Sequence, residues 1–484
     1  MARGASFDVD LERRIGEAIG VEARAQGCSP SGAVCINVLC HPASGRAQET
    51  YGEDPHHLGV MGTALGTGIQ AHGVIATVKH FALNSMENAR FTVDIRINER
   101  TLHEVYLPHF KTCLDAGVAS VMSAYNKMNG EYCGQNRTLL THILRGEWGF
   151  AGFVHSDWVI GVYNSYGAAA GLDIENPEPL VCGDKLVSAV ENGTIEPQVI
   201  DRACRRILTT QLRFAEAELP LLDYPLELVA CAEHRALALE AAEKSAVLLE
   251  NDGVLPLDRS KVRRLAVLGR LAALENTGDN GSSRVRPPYV MTALAGLTAY
   301  LGADDIVTAT ENDLAEAATV CADADPIIVV VGYTAEEEGE YIAGDMVLGQ
   351  STASVPDIVK AARAAAPPRP QSIGGDRLDL GLPPSQVALI ETAAASGKPV
   401  VVVIVAGSAV LVEDWRGNAS AILQTFYSGM EGGDALAHLL FGDVSPSGKL
   451  PFTVARDPTD YPHFESRSAQ HGLWLLAQLR QIRA

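Results

Sequence analysis

The chain has 484 residues, 20% charged and 47% hydrophobic, with 45 Gly and 24 Pro; this ordinary globular usage excludes a disordered, fibrous or small stapled chain. At about 150 residues per domain the length predicts two to four domains. A formal net charge of −21 repels phosphate backbones and anionic lipid, so neither nucleic acid nor a membrane surface is an expected partner.

Nine cysteines, an odd number with no CxxC pair, read as reduced thiols, and no histidine cluster has zinc-ligand spacing. The opening MARGASFDVDLERR lacks the apolar stretch of a secretory signal, and no run approaches the ~20 apolar residues of a membrane span. The expected location is cytoplasmic.

The first segment alternates short apolar runs with amphipathic helices, the rhythm of β/α units around a parallel sheet. Asp10 is expected to cap a helix carrying Leu11, Ile15 and Ile19 on one face and stopped by Gly27. Strands are expected at 33–40, 73–81, 118–126, 152–158 and 167–175. A second helix, capped by Asn98, should run through Leu102, Val105 and Phe110 to a stop near Gly117. Several strands end in polar residues: Lys79 and His80, Tyr125 and Asn126, Asp157, Asp173 and Glu175. In a β/α barrel such ends converge on one mouth, although a closed barrel needs eight strands and only five or six are visible.

Residues 216–234 carry Pro and acidic residues without clean periodicity, which suits a crossing between domains. From about 235 a second pattern begins, with near-continuous apolar runs at 265–269, 326–332, 399–407 and 420–429. Uninterrupted Val/Ile implies strands buried on both faces, covered by helices such as 385–395, and hence an open α/β sandwich. The Ala/Pro stretch 362–372 reads as an exposed loop. The fold class is therefore α/β: an incomplete (β/α)8 barrel over 1–215, a linker over 216–234, a sandwich over 235–458 and an atypical tail over 459–484.

Asp157 follows the apolar GFVHS and precedes Trp158, which reads either as a helix cap beside a core indole or as a carboxylate next to a sugar-stacking face. Lys79 and His80 read either as ligands for substrate hydroxyls or as a surface lysine and a core histidine. The acidic run at Glu336, Glu337, Glu338 and Glu340 follows a buried strand; such runs are commonly solvated, yet loops after strand C-termini hold ligand groups in open α/β sheets. No dinucleotide fingerprint or P-loop occurs.

Taken together, GRAQETYGEDP (45–55), GVIATVKHFALN (73–84), SVMSAYNKMNG (120–130), LLTHILRGEWGFAGFVHSDW (139–158), SAVLLENDGVLPL (245–257) and FYSGMEGGDALAHLLFGDVSPSGKLPFT (426–453) resemble glycoside hydrolase family 3 β-glucosidases, in the family's order. The resemblance implies a barrel followed by a sandwich with the active site between them. It implies a retaining exo-β-glycosidase acting on small β-glycosides, with Asp157 as nucleophile and Glu338 as acid/base, Glu336 and Glu337 being alternatives. It further implies that Arg46, Lys79, His80 and Tyr125 bind the glycone or support the nucleophile, that Trp158 shapes the sugar subsite, and that no metal or organic cofactor is needed. By the same resemblance, the family's first two barrel strands, one ending in an Asp-Gly-Pro segment, are expected to be missing, so that the chain reads as N-terminally truncated, and the tail lacks the lead into a fibronectin-like third domain. An open barrel seam favours edge association, so a homo-oligomer is an expected state. The rival readings are a catalytically impaired carbohydrate-binding homologue and a barrel lyase with Lys79 as a Schiff-base lysine.

Overall fold

Two sheets organise the protein, whose computed structural model describes residues 1–343 and 372–473. The first holds five parallel strands in chain order, Pro30–Cys35, Ile75–Phe81, Ser120–Ser123, Phe153–Trp158 and Ile174–Asn176, in a barrel-type β/α arrangement with five strands described. The second has six strands, ordered Ile306–Ala309, Leu265–Leu268, Ile327–Gly332, Val400–Val405, Ala421–Gln424 and Val247–Asn251, all parallel except the last.

The apolar runs of the second sheet have a direct physical reading. Val329, Val331, Val402 and Ile404 enter one core, while Ile328, Val330, Val401 and Val403 enter another on the opposite face. Alternate residues point to opposite faces, so a strand covered on both sides needs apolar side chains at every position. Helix Pro384–Ala394 covers one face through Leu389, Ile390 and Ala393, and helix Gly432–Phe441 covers the other through Leu436, Leu439 and Leu440.

Several local expectations are corrected. The helix Val9–Ala25 is capped by Asp8, whose carboxylate accepts from Leu11 N; Asp10 already lies inside the first turn. The helix expected after Asn98 is capped as expected, by Thr101 N on Asn98 Oδ1 at 2.8 Å, but it is interrupted: a wide turn, Leu102–Tyr106, precedes a fresh helix, Pro108–Asp115. Pro108 has no N–H to continue the ladder and starts the new helix at its first position. Tyr166–Ala170 form a helical turn that ends at Gly171 in the left-handed region, φ 118°, so the strand expected over 167–175 begins only at Ile174. The strands Val247–Asn251 and Ile306–Ala309 were not expected. The Ala/Pro stretch lies outside the described residues except for Ser372, which opens a strand paired with Gly339–Ala343. In the tail, Gln470–Leu473 pairs in parallel with Asp94–Ile97 of the first module. No helix among the described residues is long and apolar enough to cross a membrane.

The modules meet through close backbone contact. A Cβ on Gly45 would lie 2.3 Å from the carbonyl oxygens of both Gly339 and Gly375, so a loop of the first module can approach two of the second only with glycine there. Buried Asp376 fixes the same junction, accepting from the backbone N–H groups of Gly45, Glu87 and Asn88, each at 3.0 Å. Removing the carboxylate leaves three buried donors unmatched, at about 1–3 kcal/mol each. Asp376→Ala is therefore expected to lower unfolding free energy by about 3 kcal/mol or more in urea titrations, whereas Asp379→Ala, which removes one exposed turn contact, should change it by less than about 1 kcal/mol.

Candidate active site

Strand C-termini of the first sheet and four segments of the second module line a cleft of about 1680 Å³. Lys79 and His80 come from Ile75–Phe81, Asp157 and Trp158 from the end of Phe153–Trp158, and Tyr125 from the loop after Ser120–Ser123. All five line the cleft. From the second module come Asp279 to Arg286, Glu340, Gly407 and Tyr427.

Asp157 is buried, and its two oxygens differ. Oδ1 accepts from Trp158 N at 2.8 Å; Oδ2 makes no hydrogen bond and lies 3.5 Å from His80 Nε2. Asn37 Oδ1 accepts from both His80 N at 3.1 Å and His80 Nδ1 at 2.9 Å, which places the imidazole proton on Nδ1 and turns the Nε2 lone pair toward Asp157. Burial, reinforced by Arg46, Lys79 and Arg90, holds His80 well below its ordinary pKa, so the ring is neutral. Oδ2 is thus left as a lone-pair-bearing oxygen with no donor attached. Burial also raises the Asp157 pKa, while Arg46, Arg90, the Trp158 N–H and Lys79 pull it down. Behind the carboxylate the chain turns sharply: a Cβ on Gly161 would lie 2.4 Å from Asp157 O and 2.6 Å from its N. Tyr125 donates its hydroxyl to Trp158 O at 2.7 Å, fixing the strand end, and the Trp158 indole is 42% exposed on the rim.

Arg46 is buried and forked on Glu49, Nε to Oε1 at 2.8 Å and NH2 to Oε2 at 3.0 Å, with NH1 3.9 Å from Glu340 Oε1 and NH2 donating to Ser282 Oγ at 3.2 Å. Lys79 Nζ lies 4.0 Å from Glu49 Oε2. Arg90 NH1 lies between Glu87 Oε2 and Glu340 Oε1, each at 2.9 Å. One guanidinium serves two buried carboxylates, and they divide: Arg46 and Arg90 keep Glu340 ionised, far below the ordinary range, while burial pushes Glu87 up to about 8. Asp279 lines the cleft and accepts from Glu340 N at 2.8 Å and Ser283 Oγ at 2.9 Å; burial raises its pKa. Glu49, Asp279 and Glu340 each bring one carboxylate oxygen within 4.8 Å of the others, a spacing open to a cation, but Arg46, Lys79 and Arg90 already neutralise the group.

The acidic loop is sorted by the structure. Glu336 is exposed, and Glu337 accepts from Thr334 N at 2.8 Å and pairs with Arg270 at 3.2 Å, away from the cleft. Glu338 is buried behind the cleft wall: Oε1 accepts from Gly407 N at 2.5 Å and from the Tyr427 hydroxyl at 2.6 Å, and Oε2 lies 3.3 Å from Arg377 Nε. Glu340, two residues on, is the loop carboxylate that lines the cleft. Three polar strand ends expected at the mouth have structural partners instead. Asp173 is held by Arg145 and Arg206, Glu175 accepts from Val181 N and Cys182 N, and Asn126 donates to Ala82 O.

Glu49, Arg90 and Asp279 escaped the sequence reading. Glu49 carried a signal, standing three residues after Arg46, whereas Arg90 lies in an irregular segment and Asp279 in a Gly-rich loop, where no periodicity marks a buried charge.

Buried ionic and hydrogen-bonding side chains surround a wide cleft between two α/β modules, with a partly exposed indole on its rim. The chain belongs to glycosyl hydrolase family 3: the family's N-terminal domain model matches residues 1–210 and its C-terminal domain model residues 246–478. It is 33% identical over 478 residues to an exo-α-(1→6)-L-arabinopyranosidase of Bifidobacterium longum, covering 96% of this chain and 59% of that protein. It is 35% identical to thermostable β-glucosidase B of Acetivibrio thermocellus, covering 94% of this chain and 57% of that one. Among solved structures it is similar to a Bifidobacterium adolescentis family 3 β-glucosidase, with a TM-score of 0.81, 31% identity and coverage of 95% and 64% of the two chains. The chain thus spans less than two thirds of the length of these relatives.

Removing Arg90 leaves Glu87 and Glu340 buried without their shared cation, a loss of about 3–5 kcal/mol for a broken buried pair. In urea unfolding at pH 7, Arg90→Met is expected to be destabilised on this scale, and Arg90→Met with Glu340→Gln to recover part of the loss, because the buried acid that is ionised at this pH has been neutralised.

Proposed function

We propose that the protein is a retaining exo-β-glycosidase of β-glucosidase type, acting on small β-glycosides in a reducing cytoplasm. The observation that carries this reading is the free Oδ2 of Asp157 in a cleft shared by both modules. Asp157 Oδ2 attacks the anomeric carbon, a glycosyl ester forms, and water then releases the sugar. Oδ1 stays on the Trp158 N–H, so attack breaks no existing bond to the nucleophile. Arg46, Lys79 and Arg90 lower the Asp157 pKa against burial, keeping the nucleophile available as the anion. Lys79, with Glu49 and Glu340, offers both a donor and acceptors to ring hydroxyls, and Trp158 offers an apolar face.

The proton for the leaving oxygen is assigned to Glu338. Glu340 lies nearer the cleft, but two guanidinium groups hold it ionised and it has no proton to give; its role is to organise Arg46 and Arg90. The names of the relatives support a glycoside substrate, arabinopyranosidase and β-glucosidase among them. Lys79, in an ion pair with Glu49, has a role in this reading that a Schiff-base lysine would leave unfilled.

Hydrolysis of an aryl β-glucoside is expected for the wild-type protein, with Asp157→Asn slower by about a thousandfold or more. Equal rates would remove Asp157 from the mechanism, and sugar binding without turnover would favour the binding-only homologue. Because burial dominates the Asp157 shift, the acid limb of kcat/KM against pH should lie above the ordinary carboxyl value of 3.8, activity falling as Asp157 takes up a proton.

A further inference from the structure

We propose that Tyr427 carries the proton between Glu338 and the glycosidic oxygen, so that the acid/base of this protein is a Tyr427–Glu338 pair. The inference rests on the retaining reading above. Tyr427 is half-buried and lines the cleft, whereas Glu338 lies behind it, and the Tyr427 hydroxyl is 2.6 Å from Glu338 Oε1. Among the described residues, Tyr427 is the one side chain that joins Glu338 to the cleft by a hydrogen bond. Glu338 is tied down on its other sides by Gly407 N at 2.5 Å and Arg377 Nε at 3.3 Å. Arg377 is itself fixed, its NH2 donating to Pro42 O and Ser408 Oγ at 2.6 Å and to Ala409 O at 2.8 Å.

The ring is held as firmly as the carboxylate. Gly278 lies against it, and a Cβ there would come within 3.2 Å of Tyr427 Cγ and Cδ2 and 2.2 Å of Gln48 Oε1, so the loop that presses on the ring requires glycine. Burial and the neighbouring Glu338 keep the phenol protonated well above its ordinary range, so Tyr427 does not rest as the phenolate.

The step balances as follows. In glycosylation Asp157 Oδ2 bonds to the anomeric carbon, the bond to the leaving oxygen breaks, and that oxygen takes the Tyr427 hydroxyl proton. Glu338 enters this step as the carboxylic acid, its Oε1–H donating to the Tyr427 oxygen while the Tyr427 O–H turns to the leaving oxygen; Tyr427 takes that proton and Glu338 is left as the carboxylate. In deglycosylation water bonds to the anomeric carbon as the ester bond breaks; its proton passes to Tyr427, and the Tyr427 proton returns to Glu338.

Tyr427→Phe keeps the ring and removes the relay. Its test compares phenyl β-glucoside, whose leaving oxygen needs a proton, with 2,4-dinitrophenyl β-glucoside, whose leaving group departs as the anion. General acid catalysis contributes 10²–10⁴-fold, so Tyr427→Phe should lose about a hundredfold more kcat/KM on the phenyl than on the dinitrophenyl glycoside. Glu338→Gln should show the same selectivity, and the double variant should lose no more than the worse single one, since the pair acts as a unit. The basic limb of kcat/KM against pH for the phenyl substrate should vanish in both. Equal losses of Tyr427→Phe on the two substrates, or none, would overturn the relay while leaving the retaining reading intact. A wild-type protein that hydrolyses neither glycoside would overturn both.

Discussion

The site depends on charge sharing between two modules that are far apart in sequence. Glu340, from the second module, is held by Arg90 and faced by Arg46, both from the first. Buried charges are tolerated only when paired and hydrogen-bonded. Glu340 has both: Arg90 on one oxygen and Ser282 N on the other at 2.5 Å. Separating the modules would strip Glu340 of both guanidinium groups, while Arg46 would keep Glu49 and Arg90 would keep Glu87. The acidic loop is thereby delivered to the strand ends that carry Asp157.

A second layer fixes the same junction with neutral donors and close backbone. Asp279 receives Glu340 N, and its own N–H donates to Gln48 Oε1 at 3.0 Å, linking a loop of the second module to the segment that carries Arg46 and Glu49. Asp376 and Gly45 do the same one layer deeper. The dipeptide Asp376–Arg377 thus works in two directions: the aspartate grips backbone of the first module, and the arginine anchors the pocket in which Glu338 sits. The Asp157 side is built by other means, a neutral histidine with its tautomer set by Asn37 and a tight turn at Gly161.

How far the sequence disclosed this follows from what each segment must satisfy. Val400–Val405 and Ile327–Gly332 are legible because burial on both faces leaves no position for a polar residue. Val247–Asn251 and Ile306–Ala309 lie at the edges of that sheet, are partly exposed, and so lack the continuous apolar signal. Asp157, Lys79, His80 and Tyr125 were legible because polar residues at the ends of apolar runs stand out, and the family resemblance gave them roles. Arg90 was not, because its partners Glu87 and Glu340 lie 3 and 250 residues away, and only the fold shows that they share one cation. The acidic run at 336–340 marked a segment that reaches the cleft, yet which carboxylate faces the cleft was decided by hydrogen bonds from Thr334, Gly407, Tyr427 and Ser282 that no spacing rule contains.

The central claim is that Asp157 Oδ2 forms a bond to sugar. Incubation with a 2-deoxy-2-fluoro-β-glucosyl fluoride, which forms the ester but slows its hydrolysis, followed by peptide mass mapping, measures this directly. The account predicts one fluoroglucosyl unit on the peptide containing Asp157 and no such mass in Asp157→Asn. An adduct on any other residue, or none in a protein that hydrolyses aryl glucosides, would contradict it.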